Sequence, residues 1–251
     1  MIRRTVIKLS GEALAGEVPV PAEFFNPFSD AVIHSIVSQI KTVLNDARVQ
    51  VALVLGGGNF WRGRQAPEGM DRSRADQIGM LATVMNGIYL MEAFRKQGVR
   101  ARVATPIPIG QFTEIYERDA ALAYMESGGV LINAAGLGHP YFSTDTITAL
   151  RAAELSADCI LYAKSVDGVF DKDPKKFKDA RKFKTLSYRK AIAETLNAAD
   201  MAALHLSNDA KIPSFVFGLD EPLSLVSACN FPETAPLEGT FLDVNAEDIF
   251  Y

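Results

Sequence analysis

The chain of 251 residues is 48% hydrophobic and 22% charged, which is typical of a globular protein rather than a disordered or fibrous one. Its formal net charge is −4 and it has no run of Lys and Arg, so we expect neither a nucleic-acid partner nor a membrane surface. Cys159 and Cys229 are too few for a disulfide framework and lack metal-site spacing, which favours the reducing cytoplasm. The first residues soon reach Lys8, Ser10 and Glu12, so we expect neither a signal peptide nor a membrane span there.

Runs rich in β-branched and apolar residues alternate with segments of helical periodicity. In chain order the patterns predict a strand at Thr5–Leu9, a helix that Ser29 caps and that continues to Leu44, a strand at Gln50–Leu55, a helix at Arg74–Lys96, a strand at Val99–Ala104, a helix at Arg118–Glu126, a strand at Val130–Asn133, a helix at Thr144–Ala157, a strand at Cys159–Tyr162, helices at Tyr188–Leu196 and Ala199–Ala210, and strands at Ser214–Phe217 and Thr240–Leu242. Strands separated by helices indicate an α/β fold with a largely parallel sheet. Ligands bind such sheets at the carboxyl ends of the strands, so the loops there are the candidate site.

The first predicted strand ends in the run Lys8-Leu9-Ser10-Gly11. A lysine at a strand tip can place its ammonium against phosphate oxygens. The adjoining N–H groups can bind the same oxygens at close range, because Gly11 has no Cβ. An ordinary strand-end lysine followed by a turn is the alternative.

Three glycines, Gly56, Gly57 and Gly58, directly follow the second predicted strand. Glycines cost backbone entropy and add no packing, so a positive φ or the close approach of a ligand such as phosphate explains them. The segment matches neither the P-loop nor the dinucleotide-binding pattern. A tight structural turn is the alternative. Nearby Arg62 offers a planar, bidentate phosphate donor.

Two further segments are candidates for nucleotide binding. Residues 136–146 read GLGHPYFSTDT, in which glycines permit a turn, aromatic rings can flank a base and hydroxyl groups can bond ribose, base or phosphate. Ser143 or Thr144 can also cap the next helix, and a plain capping turn is the alternative. Residues 166–174 read VDGVFDKDP, which indicates either a surface turn or a nucleotide-holding loop with Phe170 against adenine.

Taken together, these segments resemble bacterial-type uridylate (UMP) kinases of the amino-acid-kinase family. The matching stretches are, in order, KLSGEAL, VLGGGNFWRG, ADQIGMLATVMNG, PYFSTDTITALRAAELSAD, VDGVFDKDPKK, KFKTLSY and NDAKIPSFVF. The run ADQIGMLATVMN, together with the aromatic–STDT loop, is specific to UMP kinases rather than to the wider family. The resemblance covers nearly the whole chain.

The resemblance implies a single amino-acid-kinase domain over residues 1–251, a three-layer αβα sandwich with a largely parallel central sheet. The UMP-binding part would be about 1–157 and the ATP-binding part about 158–251. The implied reaction transfers the γ-phosphoryl group of ATP to UMP, with Mg²⁺, in pyrimidine nucleotide biosynthesis. A cytoplasmic homohexamer, built as a trimer of dimers, and feedback inhibition by UTP are also implied.

Individual residues would then have the roles that their counterparts have in the family. Lys8 would stabilise the transferring phosphoryl group, Asp145 would orient Lys8, and Arg62 would contact phosphate between the two nucleotides. Asp76 would accept hydrogen bonds from the UMP ribose. The residues implied for ATP are Lys8, Leu9, Ser10, Gly11, Gly58, Arg62, Lys164, Phe170 and Asp173. The residues implied for UMP are Gly57, Asp76, Leu137, Gly138, His139, Pro140, Tyr141, Phe142, Ser143 and Thr144. No protein metal site is implied, because the nucleotide phosphates would mainly hold the Mg²⁺.

Three places differ from the family pattern. His139 stands where Asn is usual and Tyr162 where Lys is usual, which bears on the preference for acceptor and donor. The segment Leu14–Asn26 lacks the Gly-rich pattern that accompanies GTP activation in relatives, so we expect GTP to activate weakly or not at all. Two other functions stay open: another small-molecule kinase of the same fold, and a nucleotide-binding homologue with weak or no turnover.

Overall fold

The computed structural model describes residues 2–15, 26–61, 66–220, 223–230 and 238–251. The strands in this part of the chain are β1 (Arg4–Leu9), β2 (Gln50–Leu55), β3 (Ala101–Thr105), β4 (Glu114–Ile115), β5 (Val130–Asn133), β6 (Cys159–Lys164), β7 (Phe183–Ser187), β8 (Ser214–Gly218), β9 (Gly239–Asp243) and β10 (Ile249–Phe250). The helices are α1 (Gly11–Ala15), α2 (Asp30–Thr42), α3 (Arg72–Lys96), α4 (Arg118–Glu126), α5 (Thr144–Glu154), α6 (Tyr188–Ala193), α7 (Met201–Asp209) and α8 (Ser224–Cys229). A π-helical turn, Val43–Ala47, continues α2.

The strands form one ten-stranded sheet in the order β10-β7-β9-β8-β6-β1-β2-β5-β3-β4. The pairs β2/β5, β3/β5, β3/β4, β6/β8 and β7/β9 are parallel, whereas β8/β9 and β7/β10 are antiparallel. Continuous apolar runs form the middle strands, and Val51–Leu55 of β2 are all buried, as in a strand that is covered on both faces. The predicted α/β fold with a largely parallel sheet is confirmed.

Residue contacts divide the chain into two compact units. One combines Met1–Lys8 with Asp145–Tyr251, and the other is Leu9–Thr144. The sequence-based boundary differs from this division, because it was predicted near residue 157, between a UMP-binding and an ATP-binding part. Which nucleotide each part binds stays a prediction.

Each unit has its own apolar interior. In the unit Leu9–Thr144, Ser29 caps α2 by accepting a hydrogen bond from the Val32 N–H (3.5 Å), and the predicted apolar face of this helix is buried from Ile33 to Ile40. In the other unit, large rings fill the interior, and those that are almost wholly buried are Tyr162, Phe183, Tyr188, Phe215 and Phe217. No helix in the described residues is both long enough and apolar enough to cross a membrane.

The structure differs from the sequence-based expectations at helix ends and in short elements. The helix α5 ends at Glu154 rather than Ala157, because Ser156 adopts a left-handed φ of 52° that no α-helix continues through. The elements α1, β4, β7, α8 and β10 had not been predicted, and none of them is longer than six residues.

Candidate active site

A glycine turn, residues 56–60, follows β2 and is bonded to the end of β1 within the unit Leu9–Thr144. The Gly56 N–H donates to the Leu9 carbonyl (2.8 Å), and the Phe60 N–H donates to the Gly57 carbonyl (3.0 Å). The end of the first strand and the start of the turn are therefore held at a fixed separation. Both segments carry residues that the sequence predicts to face nucleotide phosphates.

Asn86, a fully buried residue of α3, fixes the glycine turn. Its amide donates to the Gly56 carbonyl (2.7 Å) and to Asn59 Oδ1 (2.8 Å). The Asn59 amide donates in return to Asn86 Oδ1 (2.9 Å) and to the Pro27 carbonyl (3.0 Å). Removing the Asn86 amide would leave the buried Gly56 carbonyl without this donor, which costs about 1–3 kcal/mol of stability.

Packing within the protein, rather than positive φ, explains Gly56 and Gly57 in this turn. A Cβ on Gly56 would lie 2.9 Å from the backbone N of Gly11. Gly56, Gly57 and Gly58 all lie in the described chain, and the positive φ considered for them does not occur. A Cβ on Gly57 would lie 2.8 Å from the Gly79 carbonyl oxygen, inside van der Waals contact. A Cβ on Gly58 would meet the flexible end of the Glu12 side chain, with Oε1 at 2.5 Å. The Glu12 side chain is flexible, so Gly58 is the glycine of this turn whose neighbouring atoms a ligand can displace most easily.

Asp76, in the first turns of α3, is the centre of a polar cluster. The Arg72 Nε–H donates to both carboxylate oxygens of Asp76 (2.8 and 2.9 Å), and the Tyr141 N–H donates to Oδ2 (2.8 Å). Partial burial would raise the pKa of Asp76, but the hydrogen bonds from Arg72 and Tyr141 outweigh it and lower that pKa. Asp76 is therefore an ionised acceptor at neutral pH, with lone pairs that hydroxyl groups can use.

The loop after β5 carries two exposed aromatic residues, Tyr141 and Phe142, of which Tyr141 bonds Asp76 through its N–H. Gly136 and Gly138 have φ of 56° and 75°, so the glycines of this loop do serve the turn. Tyr141 also has a positive φ, 73°, which costs a non-glycine residue about 1–3 kcal/mol. Its N–H bond to Asp76 helps to hold that conformation. Tyr141 and Phe142 are 68% and 56% exposed. Arg72 lies over the Tyr141 ring, and the exposed remainder of the two rings is available to a base.

Lys8 and Asp145 form an ion pair within the other unit. The Lys8 Nζ lies 3.1 Å from Asp145 Oδ1, and the two side chains are 13% and 16% exposed. Lys8 is the second-last residue of β1, and Asp145 lies in the first turn of α5. An ammonium that a carboxylate holds at a strand end is suited to stabilise negative charge on a phosphoryl group.

Lys164 ends β6 close to the same pair of charges. Its Nζ donates to the carbonyls of Ala198 (2.6 Å) and Asn197 (3.4 Å). Burial lowers the pKa of Lys164; the charge of Asp145 opposes this, while that of Lys8 adds to it. Lys164 therefore lies within electrostatic range of Lys8, Asp145 and Asp200.

Tyr162 is a core residue of β6. Its side chain is 2% exposed, because both faces of this strand are covered. Burial raises the pKa of Tyr162 well above its usual range, and the charge of Asp145 acts in the same direction. Tyr162 in place of the Lys that the resemblance leads us to expect therefore changes the interior beside Asp145. Its side chain does not reach the surface.

Residues 166–174, which follow β6, are predicted to hold the donor nucleotide and are named the donor loop for that prediction. Phe170 is half-buried and pairs with Lys182 in an isolated antiparallel bridge. Asp173 Oδ1 accepts a hydrogen bond from the Lys175 N–H (3.0 Å), which is the local turn contact expected of an aspartate before proline. Asp173 Oδ2 lies 3.7 Å from the Lys176 Nζ. Asp173 therefore makes the local contact of a turn. Its role toward a ribose stays a prediction.

Comparison with known proteins identifies the family. Residues 3–218 match the model of the amino acid kinase family. The chain belongs to the amino acid kinase family.

Two solved structures resemble this amino acid kinase over their whole length. The UMP kinase from Bacillus anthracis is 34% identical with a TM-score of 0.90, over 100% of this chain and 99% of that chain. The UMP kinase from Ureaplasma parvum is 32% identical with a TM-score of 0.86, over 96% and 98%. The uridylate kinase from Archaeoglobus fulgidus is 24% identical with a TM-score of 0.69, over 95% and 99%, a likeness of fold alone.

The predicted site residues of this amino acid kinase fall in both compact units. Those in the unit of Met1–Lys8 and Asp145–Tyr251 are Lys8, Asp145, Lys164, Phe170 and Asp173. Those in the unit Leu9–Thr144 are Leu9, Ser10, Gly11, Gly57, Gly58, Asp76 and residues 137–144. The side chain of Leu9 is wholly buried, which leaves its backbone as the part available to a ligand. Arg62 lies outside the described residues. Residues 16–25, which make up most of the segment on which the GTP expectation rests, also lie outside them.

The sequence interpretation missed two residues that shape this amino acid kinase site. Arg72 holds the Asp76 carboxylate and lies 5.2 Å from the centre of the Tyr141 ring. A signal for it was present, because Arg and Asp four residues apart on a helix face each other. Asn86 ends the run ADQIGMLATVMN, but no local pattern indicated its role, since its partners lie about 30 residues away along the chain.

Proposed function

We propose that this amino acid kinase is a UMP kinase, which transfers the γ-phosphoryl group of ATP to UMP and yields UDP and ADP. The observation that carries the proposal is the Lys8–Asp145 pair at the end of β1, an ammonium with a fixed direction and little exposure. The full-length likeness to two UMP kinases supports UMP as the acceptor.

On the donor side, we assign ATP to the end of β1, to Lys164 and to the donor loop. Lys8 would neutralise charge on the transferring phosphoryl group, and Asp145 would orient Lys8. Lys164 would contribute positive charge, while Phe170 would lie against adenine and Asp173 near the ribose. Gly58 would lie against ATP, and Arg62 would contact phosphate.

On the acceptor side, we assign UMP to the glycine turn, to Asp76 and to residues 137–144. Asp76, which is ionised and already fixed by Arg72, would accept hydrogen bonds from the ribose hydroxyls. The exposed rings of Tyr141 and Phe142 would flank the uracil. The UMP phosphate is an ionised nucleophile, so the protein needs neither a general base nor a covalent intermediate, and positioning with charge neutralisation supplies the rate.

Magnesium fits the groups that are present. Within the described ranges, no group of three or more His, Cys, Asp or Glu is arranged to hold a metal ion. Mg²⁺ commonly keeps several waters and binds through substrate phosphates with one or two carboxylates, so it needs no such group here. Asp145 is the carboxylate that we assign to its neighbourhood, and the ion would supply charge neutralisation on the phosphates.

A coupled assay of ADP release with UMP, CMP, dUMP and AMP in parallel tests the proposal. We expect UMP to have the highest kcat/KM, and dUMP to be poorer because it lacks a hydroxyl that Asp76 would accept from. Turnover of CMP or AMP above that of UMP would favour the other small-molecule kinases. No ADP release with any acceptor would favour the homologue that has lost turnover.

We also propose a homohexamer, with α3 at a contact between copies. Ile78, Leu81, Met85 and Tyr89 are exposed and lie three or four residues apart, which places them on one face of α3. Contiguous exposed apolar surface of this kind marks an interaction site. Light scattering during gel filtration should give six times the chain mass, and Leu81→Asp should reduce it. A similar charge at exposed Ile249 is the matched control.

Two smaller proposals concern regulation and location. UTP shares its base and ribose with UMP, so we propose that it inhibits by competing with UMP, which a plot of velocity against UMP at several UTP concentrations tests. Cys159 and Cys229 are free and buried, which supports a reducing cytoplasm. Cell fractionation with an antibody to the chain is the direct measurement.

A further inference from the structure

The donor loop is attached to one edge of a short backbone segment, residues 181–183, whose other edge carries Phe250 and Tyr251. On the donor-loop edge, the Phe183 N–H donates to the Val169 carbonyl (2.8 Å) and the Asp171 N–H donates to the Arg181 carbonyl (3.0 Å). On the opposite edge, Phe250 pairs with Phe183, and the Tyr251 N–H donates to the Lys182 carbonyl (3.1 Å). Residues 181–183 therefore form the middle of three adjacent backbone segments, with the donor loop on one side and residues 250–251 on the other.

The side chain of Arg181 connects the two edges. Its Nε–H donates to Asp171 Oδ2 (3.3 Å), and its N–H donates to Asp171 Oδ1 (2.9 Å). Its guanidinium carbon lies 4.0 Å from the centre of the Phe250 ring. The Phe250 ring also stacks on the buried Phe183 ring, with the ring centres 4.1 Å apart. The cation is thus held between an aspartate of the donor loop and an anchored aromatic ring.

Lys182 repeats this arrangement one residue further on. Its Nζ lies 2.7 Å from Asp167 Oδ2 and 2.6 Å from Glu238 Oε2, and 4.7 Å from the centre of the Tyr251 ring. The Tyr251 hydroxyl is fixed, since it donates to the Gly239 carbonyl (2.9 Å) and accepts from the Gly239 N–H (3.2 Å). Lys182 is 11% exposed, so water screens these contacts less than it screens ordinary surface pairs.

A third contact fixes the donor loop between Asp167 and Asp171. The Val169 N–H donates to Thr240 Oγ1 (2.8 Å), and the Thr240 hydroxyl donates to the Phe183 carbonyl (2.5 Å). A Cβ on Gly168 would lie 2.9 Å from Thr240 Oγ1 and 3.0 Å from Lys182 Cδ, so the chain passes here at the closest range a glycine permits. The segment 167–171 is therefore held by its backbone and by both of its aspartates.

We propose that Phe250 and Tyr251 are positioning residues for the donor nucleotide. Through Arg181 and Lys182 they hold the segment 167–171 in the conformation that presents Phe170 to the adenine. The inference rests on the proposed function, because it takes the donor loop to bind ATP. Neither aromatic residue touches the nucleotide itself.

The expected consequence is selective for ATP. If the loop occupies its binding conformation for only part of the time, the apparent ATP affinity falls by that fraction. Tyr251→Ala removes both the ring against Lys182 and the hydroxyl on Gly239. We expect it to raise the ATP KM about three- to tenfold, with the UMP KM and the kcat at saturating ATP within twofold of wild type.

Three matched variants separate positioning from a loss of folding. Tyr251→Phe keeps the ring against Lys182 and should keep the ATP KM within about twofold of wild type. Tyr251→Leu keeps apolar bulk without the aromatic face, and should behave like Tyr251→Ala. Phe177→Ala removes a comparable pairing, that of Lys172 with a ring at 5.5 Å, which does not involve residues 250–251, and should leave both KM values unchanged. The Tm of each variant is measured beside the kinetics.

A second readout needs no turnover. Trypsin cleavage after the exposed lysines of residues 175–178 should be faster in Tyr251→Ala than in wild type and in Tyr251→Phe. Isothermal titration of ATP should show the same ranking. If wild type fails to phosphorylate UMP, the proposed function fails, and these two measurements still decide the positioning role.

Three outcomes overturn the inference. One is an ATP KM for Tyr251→Ala within twofold of wild type, with unchanged cleavage. Another is a parallel rise of the ATP and UMP KM values together with a lower Tm, which indicates a general structural role. The third is an equal effect of Phe177→Ala, which would show that any aromatic contact in this region acts in the same way.

Discussion

Replacing Lys8 by Ala removes the ammonium that we assign to the transferring phosphoryl group. In the structure its Nζ lies 3.1 Å from Asp145 Oδ1, with the two side chains 13% and 16% exposed. At an effective dielectric constant of about 20, unit charges at such a separation attract by about 5 kcal/mol before screening by water. The attraction to a phosphoryl oxygen at similar range is of the same order. Only the part gained in the transition state raises the rate.

Removal of one such contact costs about 3–4 kcal/mol, so we expect the kcat of Lys8→Ala to fall about 10²–10³-fold. The UMP KM should change much less, because the lost contact acts chiefly in the transition state. The assay is coupled ADP release with each substrate varied at saturation of the other.

Lys8→Ala also removes the ammonium that Asp145 pairs with, which complicates the comparison. The double variant Lys8→Ala/Asp145→Asn removes the charge of Asp145 as well. We expect it to regain Tm relative to the single variant while kcat stays low. A kcat of Lys8→Ala within tenfold of wild type, or recovery of kcat in the double variant, would refute the catalytic assignment.

We also expect defined outcomes from three other tests: the Asp76→Asn variant, a thiol reagent and added GTP. Asp76→Asn should raise the UMP KM about tenfold or more and change kcat less, because a hydrogen bond to a charged group is worth about 1.5–3 kcal/mol. The pKa of Asp76 in the folded protein lies below its ordinary value of 3.8. Its contribution to stability is therefore fully present above pH 3.8 and is lost as pH falls through the folded value, so Asp76→Asn should flatten the fall of Tm in acid. Burial raises the pKa of Cys159 far above its usual range and that of Cys229 to about 12, so neither thiol should react with a disulfide reagent at pH 8 until the protein unfolds. GTP should raise the initial velocity at subsaturating ATP weakly or not at all, because residues 16–25 contain two prolines and two acids where an amide nest would be needed.

Each of these has a distinct contrary result. A UMP KM of Asp76→Asn within twofold of wild type would remove the ribose role. Fast modification of the native thiols would show that the interior around them opens. A severalfold activation by GTP would contradict the expectation. If Arg102→Ala abolished that activation, the groove of about 710 Å³ that Arg95, Arg100 and Arg102 help to line would be where the effector acts.

The sequence predicts the elements whose patterns are long and local. Gln50–Leu55, Arg118–Glu126 and Val130–Asn133 occur with the predicted bounds, since each is a sustained run that one period describes. The missed strands β7 and β10 depend on partners far along the chain. In β7 the buried residues are the first and the fourth, Phe183 and Leu186, so the strand lacks the alternation that marks a half-buried strand. The strand β10 has two residues, which pair with β7. No local property of the sequence carries such pairing.

For the site, the sequence predicts residue types better than it predicts contacts. The motifs place Lys8, Asp76 and Asp145 among the candidates, and each lies in a polar pair or cluster. The glycines at 56–58 show a limit of predicting contacts. A glycine in a sequence can indicate the close approach of a ligand or close packing against a helix of the protein, and the sequence does not distinguish the two. Tyr162 shows a second limit. Because both faces of β6 are buried, replacing the Lys that is usual in the family by Tyr alters the interior of the protein.

The division of the chain into one continuous and one discontinuous unit has a consequence for synthesis on the ribosome. Most of β1 belongs with residues 145–251, and the Arg4 N–H bonds Asp158 Oδ2 across 154 residues. Closing a connection of that length costs about 2.4 kcal/mol more than closing the ten-residue one between Asp171 and Arg181.

At roughly 5–20 residues per second, the partners of Arg4 emerge about 8–30 s after Arg4 itself. During that time the apolar residues Val6 and Ile7 have no strand from residues 145–251 to pair with, while residues 9–144 can already condense. The edge of β1 that pairs with β6 therefore stays open, and an open apolar strand edge is prone to wrong association. Charged substitutions in β1 are therefore expected to reduce the yield of newly made protein more than its refolding from denaturant, where all partners are present at once.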